Sequence, residues 1–367
     1  EIDIKQAIQN SLSTPLINRL RLNEESISSI IKSIIEIKNQ PDPIGKIIEK
    51  WEQPNGLKFS KISVPLGVLG VIYESRPNVT IDASALAIKS GNSIILRPGS
   101  DSHLTCKFIT EIIRVSLKEA DLPANVVQLI PTNNRDAVGY MLGMVDYIDV
   151  IIPRGGRSLV QRVQNEAKVP VFSHLEGICH TYINKYADIN KAISVTVNAK
   201  MRRTGICGAT ETLLIDNEIY EKFLPPIVKA LKGQGCNLKG DKKSQTLVSI
   251  INEANEEDWS TEYLSSVLSI KIVDDIYDAI NHISKYGTQH TEAIITENKE
   301  SAEIFTKMID SAIVMINTST QFADGGEFGL GAEIGIATGR LHARGPVGAN
   351  QLTSFKYVVH GSGQIRA

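Results

Sequence analysis

The early strand-to-helix turns of this sequence carry no G-x-G-x-x-G, so the usual dinucleotide fingerprint is absent. That argues against a standard Rossmann site without excluding nucleotides held in another way. Cysteine is scarce: Cys106, Cys179, Cys207 and Cys236 are widely spaced and form no C-x-x-C pair. A reduced, cytoplasmic setting fits them best. No run approaches the roughly 18 apolar residues that a membrane span needs. The opening EIDIKQAIQN is too polar for a secretory leader, and because the chain begins at Glu1 rather than Met, native residues upstream are expected to be missing. Charge of one sign is lacking too, with a formal net charge of −2, which gives no reason to expect nucleic acid or an anionic membrane as partner. Internal repeats and low-complexity tracts are absent.

What remains is a chain of 367 residues with 42% hydrophobic content, long enough for two domains. Residues 1–50 read as helical, ended by Pro41 and Pro43. GLKFSKISVPLGVLGVIY reads as a hairpin, with Pro65 at an edge or strand start. From about 66 to 175, apolar strands alternate with helices: IDASALAIKSG, NSIILR, HLTCKFITEIIRVSLKEA, VVQLI, RDAVGYMLGM, YIDVIIP, RSLVQRVQNEA and VPVF. That alternation predicts a doubly wound parallel sheet. After a break at 174–188 a second such series begins, with DINKAISVTVNAKMRR, ETLLI, NEIYEKFLPPIVKAL, EAIITEN and SAIVMIN.

Cys207 stands at the first helix-to-strand junction of that second series, between Gly205 and Gly208 and close to Lys200, Arg202 and Arg203. Glycines leave the sulfur uncrowded, and basic neighbours favour the nucleophilic thiolate. A small buried hydrophobe is the alternative reading. Two turns suit phosphate: LRPGSDS offers Arg97, Gly99, Ser100 and a helix start, with Ser100, Asp101 and Ser102 as N-cap candidates. PRGGRS offers Arg154, Gly155, Gly156, Arg157 and Ser158. Either is equally an ordinary βα turn. In IYESRPNVT, Arg76 can bind a carboxylate while Ser75 and Asn78 can donate to an oxyanion, or the segment is a turn stiffened by Pro77. HLEGICH matches no common structural zinc spacing, so no metal is expected, and Glu176 within it is either a general base or a solvated carboxylate. Phe322 to Gly348 holds eight glycines and reads as a long functional loop, with Arg340, His342 and Arg344 for anions.

VPLGVLGVIYESRPNVTIDASALAIKSGN, VNAKMRRTGICGATETLL, YGTQHTEAIIT and FGLGAEIGIATGRLHARGPVG together resemble the gamma-glutamyl phosphate reductases of the aldehyde dehydrogenase superfamily, from about residue 15 onward. The resemblance implies an aldehyde dehydrogenase-like α/β fold of two doubly wound domains plus a small oligomerisation hairpin at about 55–65. It implies a cofactor domain over 1–180, a catalytic domain over 181–320, and a return segment with an oligomerisation strand over 321–367. It implies NADPH-dependent reduction of L-glutamyl 5-phosphate to the semialdehyde in proline biosynthesis, with Cys207 as nucleophile. Arg97 then lies by the cofactor ribose and its phosphate, Arg154 to Ser158 by the diphosphate, and Glu333 on the nicotinamide side. Ser75 falls at the oxyanion position with Asn78 beside it, and Arg340, His342 and Arg344 serve substrate charges. Glu176 lies near the deacylating glutamate of hydrolytic relatives but outside their ELGG motif, consistent with chemistry that needs no water. The hairpin and the strand TSFKYVVH are expected to pair between subunits of a homodimer or higher oligomer, and the kinase that makes the acyl phosphate, glutamate 5-kinase, is an expected transient partner. Oxidation of a small aldehyde and a non-enzymatic nucleotide-binding scaffold remain the competing readings.

Overall fold

The computed structural model describes residues 1–12 and 14–366. The chain divides into two compact units: Glu1–Ser173 with Phe328–Ile336 and Leu341–Ala367, and His174–Glu327 with Ala337–Arg340. The first break therefore precedes the boundary read at 180, and parts of the return segment belong to the second unit.

The first unit begins with helices α1 (Ile2–Gln9), α2 (Thr14–Leu20) and α3 (Glu24–Asn39). Residues up to 50 are not all helical, because β1 (Ile47–Glu52) follows the prolines. It pairs antiparallel with β2 (Lys58–Pro65), so the hairpin runs over 47–65 rather than into β3 (Val68–Tyr73). Pro65 ends β2 instead of starting it. The C-terminal strand Thr353–His360 pairs with β2 on the other side, within one chain, so the pairing expected between subunits is satisfied internally.

β3 belongs instead to a parallel sheet with β4 (Ser93–Pro98), β5 (Val127–Leu129) and β6 (Val150–Arg154), in the order β5-β4-β3-β6. Helices α4 (Pro77–Lys89), α5 (His103–Glu119), α6 (Asp136–Gly143) and α7 (Arg157–Glu166) connect or follow these strands. Leu69, Val71, Ile94, Leu96 and Ile151 are fully buried, as expected of strands covered on both faces. VPVF contributes only a bridge from Val171 to Ile151. The strand order reverses at β3, with β4 on one side and β6 on the other; in open α/β sheets, the crevice beyond such strand ends is where ligands bind.

The second unit is a seven-stranded parallel sheet built from β7 (Cys179–Ile183), β8 (Thr210–Asp216), β9 (Asn237–Gly240), β10 (Asn252–Glu253), β11 (Val267–Val273), β12 (Thr291–Ile295) and β13 (Ile313–Ile316). Their order is β10-β9-β11-β8-β7-β12-β13. The stretch read as a break between the series thus holds a central strand, β7. Its helices are α8 (Ile189–Met201), α9 (Tyr220–Gly233), α10 (Lys242–Leu247), α11 (Ile276–Tyr286) and α12 (Lys299–Met308). α9 stays helical through Pro225 and Pro226 because Phe223, Leu224, Ile227, Val228 and Leu231 form one buried face. Burying each such side chain contributes about 1.5–3 kcal/mol, which offsets the lost backbone bonds. Among the described residues, no helix is long and apolar enough to cross a membrane.

Candidate active site

Three neighbouring parallel strands, β8, β7 and β12, start at the same edge of the second sheet. The segments leading into them bring together residues far apart in sequence. Cys207 precedes β8, His174 precedes β7, and His290 stands immediately before β12. One ligand-type atom from each, the Cys207 sulfur and an imidazole nitrogen of each histidine, lies within 4.8 Å of the other two. The imidazoles meet edge to face, with centroids 5.0 Å apart. Cys207 and His174 are half-buried and His290 is fully buried. Burial pushes the Cys207 thiol up, yet the charge of His290 and then the hydrogen bonding of His174 outweigh it and hold it well below the usual thiol range.

The backbone around the sulfur is tightly held. A Cβ on Gly177 would lie 2.3 Å from the Cys207 carbonyl oxygen, so only glycine lets the two loops touch. The Gly177 N–H donates to Glu262 at 2.9 Å, and the Ile178 N–H to the Thr288 hydroxyl at 2.9 Å. The Cys179 thiol donates to the Cys207 carbonyl at 3.0 Å. Burial raises Cys179 far above the usual range, which leaves it an inert thiol. The sequence credited the thiolate to Lys200, Arg202 and Arg203, and the structure corrects this. Lys200 is fully buried in an ion pair with Glu211, and Arg202 reaches the Gln321 side chain at 3.5 Å. Neither histidine was singled out for the sulfur. His290 lies inside YGTQHTEAIIT, where a histidine abutting an apolar strand was the available signal.

In the first unit the phosphate-suited turns already hold acids of the chain itself. At the start of α7, the Gly156 N–H donates to Glu74 at 3.0 Å, and a Cβ on Gly155 would lie 2.5 Å from that carboxylate. At the start of α5, Ser102 makes no side-chain cap; Asp3 from α1 accepts from the Thr105 N–H at 2.8 Å and its hydroxyl at 2.7 Å. The helix ends that the sequence offered to a phosphate are therefore occupied by carboxylates. Arg97 is buried and donates to the carbonyls of Pro98, Asn133 and Asn134 at 2.8–3.3 Å. Its Nε, Arg154 Nε and Ser102 Oγ are buried without a hydrogen-bond partner among the described residues. These atoms, with exposed Ser100, Gly155, Gly156 and Ser158 and buried Gly99, are polar groups at strand ends suited to a nucleotide cofactor.

Ser75 is buried at a φ of 47°, strained for a residue other than glycine, and donates its hydroxyl to Asp101. The Asn78 amide donates to Asp82 at 3.2 Å; burial pushes that carboxyl up to about 6. Arg76 is half-buried at the N-cap of α4. The glycine-rich segment is largely irregular. Glu333 in it is half-buried, and a Cβ on Gly335 would meet Arg154 at 3.0 Å. Arg340 falls in the second unit and pairs with Asp310 at 2.7 Å on an exposed surface. His342 and half-buried Arg344 fall in the first, where a His342 ring nitrogen lies 3.0 Å from the Thr353 carbonyl and the ring packs edge-on against Phe172.

The aldehyde dehydrogenase family profile matches residues 21–259. A gamma-glutamyl phosphate reductase of Parvibaculum lavamentivorans is 53% identical over 99% of this chain and 86% of its own length. One of Brucella suis is 53% identical over 100% and 87%. The crystal structure of the gamma-glutamyl phosphate reductase of Thermotoga maritima superposes with a TM-score of 0.97 at 43% identity, covering 100% of this chain and 88% of that one. An acetylating aldehyde dehydrogenase of Geobacillus thermoglucosidasius shares the fold, with a TM-score of 0.68 at 19% identity. The chain is an oxidoreductase that uses a nicotinamide cofactor, and it belongs to the aldehyde dehydrogenase family, in its gamma-glutamyl phosphate reductase branch.

Proposed function

We propose that this chain reduces L-glutamyl 5-phosphate to L-glutamate 5-semialdehyde and phosphate with NADPH, through a thioester on Cys207, as the second step from glutamate to proline. The observation that carries the covalent route is the Cys207 sulfur held against His174 and His290. The thiolate attacks the acyl carbon, a carbon–sulfur bond forms, and the bond to the phosphate oxygen breaks. NADPH, when bound, would supply the hydride that turns the thioester into the oxyanion of a thiohemiacetal. Collapse of that adduct releases the aldehyde and returns the sulfur as a thiolate, again stabilised by the two imidazoles. His290 and His174 hold the ionised sulfur, while the backbone contact at Gly177 fixes the Cys207 carbonyl. No residue has to activate water, so Glu176 needs no basic role.

Arg97, Gly99 and Ser100 after β4, and Arg154, Gly155, Gly156 and Ser158 after β6, would hold the cofactor, with Glu333 toward its nicotinamide end. Arginine supplies the positive charge there, because Glu74 and Asp3 neutralise the helix starts. Arg97 at a strand end favours the extra phosphate of NADPH over NADH. Ser75 and Asn78 are the oxyanion candidates, and Arg76, Arg340, His342 and Arg344 the candidates for substrate charges. The experiment is phosphate dependence in reverse, with glutamate 5-semialdehyde and NADP⁺ supplied with and without phosphate. Turnover that ignores phosphate would overturn the assignment in favour of plain aldehyde oxidation.

Phe355, Tyr357 and Val359 alternate along the C-terminal strand and are 45%, 56% and 49% exposed, an apolar strip suited to a homodimer or higher oligomer. The four free cysteines suit a reducing cytoplasm. The lability of an acyl phosphate favours transient association with the glutamate 5-kinase that forms it.

A further inference from the structure

We propose that the Cys207–His174–His290 cluster is also a site for a zinc-type divalent cation, whose binding silences the nucleophile. One sulfur and two imidazoles make the borderline-soft donor set that zinc prefers, and three protein ligands leave a fourth position for water. Donors bound tetrahedrally to one zinc ion lie about 3.3–3.7 Å from each other, given bonds of about 2.0–2.3 Å. The three donors here already lie within 4.8 Å of one another, so about 1 Å of side-chain movement closes the site. His290 is prepared for the task. Its Nδ1 lies 2.9 Å from the Thr291 hydroxyl, and its Nε2 is fully buried with no hydrogen-bond partner among the described residues. In the tautomer that donates Nδ1–H to Thr291, Nε2 carries the lone pair a metal needs, with Thr291 orienting the ring as outer partners of metal-bound histidines do.

The H-x-x-x-x-C-H spacing in HLEGICH pointed away from a metal, and it concerned the wrong residues. Cys179 donates to the Cys207 carbonyl and its sulfur lies 3.6 Å from His290 Nδ1, on the side of the ring that faces Thr291, and the His180 Nδ1 is 2.9 Å from Glu292 in the interior. The cluster uses only His174 from that segment and takes its other two ligands from the loops before β8 and β12. Binding displaces to solvent whatever proton the sulfur and imidazoles hold, so that a thiolate and two neutral imidazoles face the ion. A cation there occupies the sulfur lone pair that would attack the acyl carbon, so acyl phosphate and metal exclude each other. That last consequence rests on Cys207 being the nucleophile; the metal site itself does not.

The test is a titration of the full chain with Co²⁺ alone, in a non-chelating buffer, read by absorption. One equivalent is expected to give a thiolate-to-cobalt charge-transfer band with the intense visible bands of a four-coordinate ion, and Zn²⁺ is expected to bleach both. Cys207→Ser is expected to remove the charge-transfer band. His174→Ala and His290→Ala are each expected to weaken binding at least about 100-fold, because losing even an outer partner of a ligand costs about 10- to 100-fold. His290→Asn serves where the alanine variant misfolds, judged by circular dichroism. Reductase activity is expected to fall with Zn²⁺ occupancy and return with a chelator. Saturating Co²⁺ without a thiolate band overturns the site, as does a band that both histidine variants leave unchanged. An active Cys207→Ala enzyme would instead overturn the catalytic reading and leave the metal site standing.

Discussion

The two units use opposite edges of parallel sheets. In the first, the polar groups suited to a nucleotide gather beyond the C-terminal ends of β3, β4 and β6, where the strand order reverses. In the second, the Cys207 sulfur and two histidines gather at the N-terminal ends of β8, β7 and β12. The first edge is built from contiguous turns, each carrying its own arginine, with glycine in those after β4 and β6. The second is assembled from three separate loops, none of which holds a complete site. Binding of an extended anion tolerates such local construction, because charge and backbone N–H groups act over a broad surface. Activation of a sulfur does not, since it needs particular atoms within hydrogen-bond reach.

This contrast predicts that damage at the second edge is far more costly. Cys207→Ala is expected to lower kcat/KM by about 10³- to 10⁶-fold and to abolish any acyl-enzyme burst in rapid-quench experiments. Gly177→Ala is next, because the added Cβ would lie 2.3 Å from the Cys207 carbonyl oxygen and must displace the loop. A shift of about 1 Å costs about 100-fold in rate. Steady-state kinetics on a variant with an unchanged far-ultraviolet spectrum check this, and near-normal turnover would break the picture of a tightly held second edge.

His290→Ala separates electrostatics from placement. His290 is the largest of the influences that lower the Cys207 pKa, so its loss moves the thiol titration up. Reaction with iodoacetamide at neutral pH is then expected to slow by roughly tenfold for each unit by which the raised pKa exceeds the assay pH, and to recover as pH rises past the new inflection. A pH profile identical to that of the parent protein would assign the thiolate to another group. The smallest effect is expected at the first edge. Glu74→Gln removes the carboxylate held by the Gly156 N–H and leaves a helix start with net positive character. NADPH is expected to bind several-fold tighter, read as a lower KM with kcat little changed. Weaker binding would mean that Glu74 grips the cofactor instead of repelling it.

The strands and helices of the first sheet were legible, because buried parallel strands read as apolar runs and the intervening helices carry their own periodicity, whereas in the second only β8, β12, β13, α8 and α9 were read and β9, β10, β11, α10, α11 and α12 were not. The errors fell where pairing is non-local. Nothing within GLKFSKISVPLGVLGVIY says that Lys58–Pro65 pairs backward with Ile47–Glu52 while Val68–Tyr73 joins another sheet. β7 was hidden in a segment read as a break, since CHTYI mixes polar with apolar residues. Its His180 and Thr181 are nonetheless fully buried, each with a polar partner from a neighbouring strand, Glu292 and Thr210. Asp3 caps α5 from 102 residues upstream, where a local serine or aspartate was the natural expectation.

The sequence by itself determined that this is a two-unit α/β protein, which family it resembles, and that Cys207, set among glycines before an apolar strand, is the residue to examine. Those features are contiguous, so local propensity and pattern carry them. Only the tertiary structure decided what lowers the pKa of that sulfur. The cations beside Cys207 in sequence are spent elsewhere, Lys200 on Glu211 and Arg202 toward Gln321. The groups that lower its pKa, His174 and His290, arrive because three adjacent parallel strands begin at one edge. Electrostatic and metal-binding energies depend on distance in space, and strand order sets that distance where separation along the chain does not.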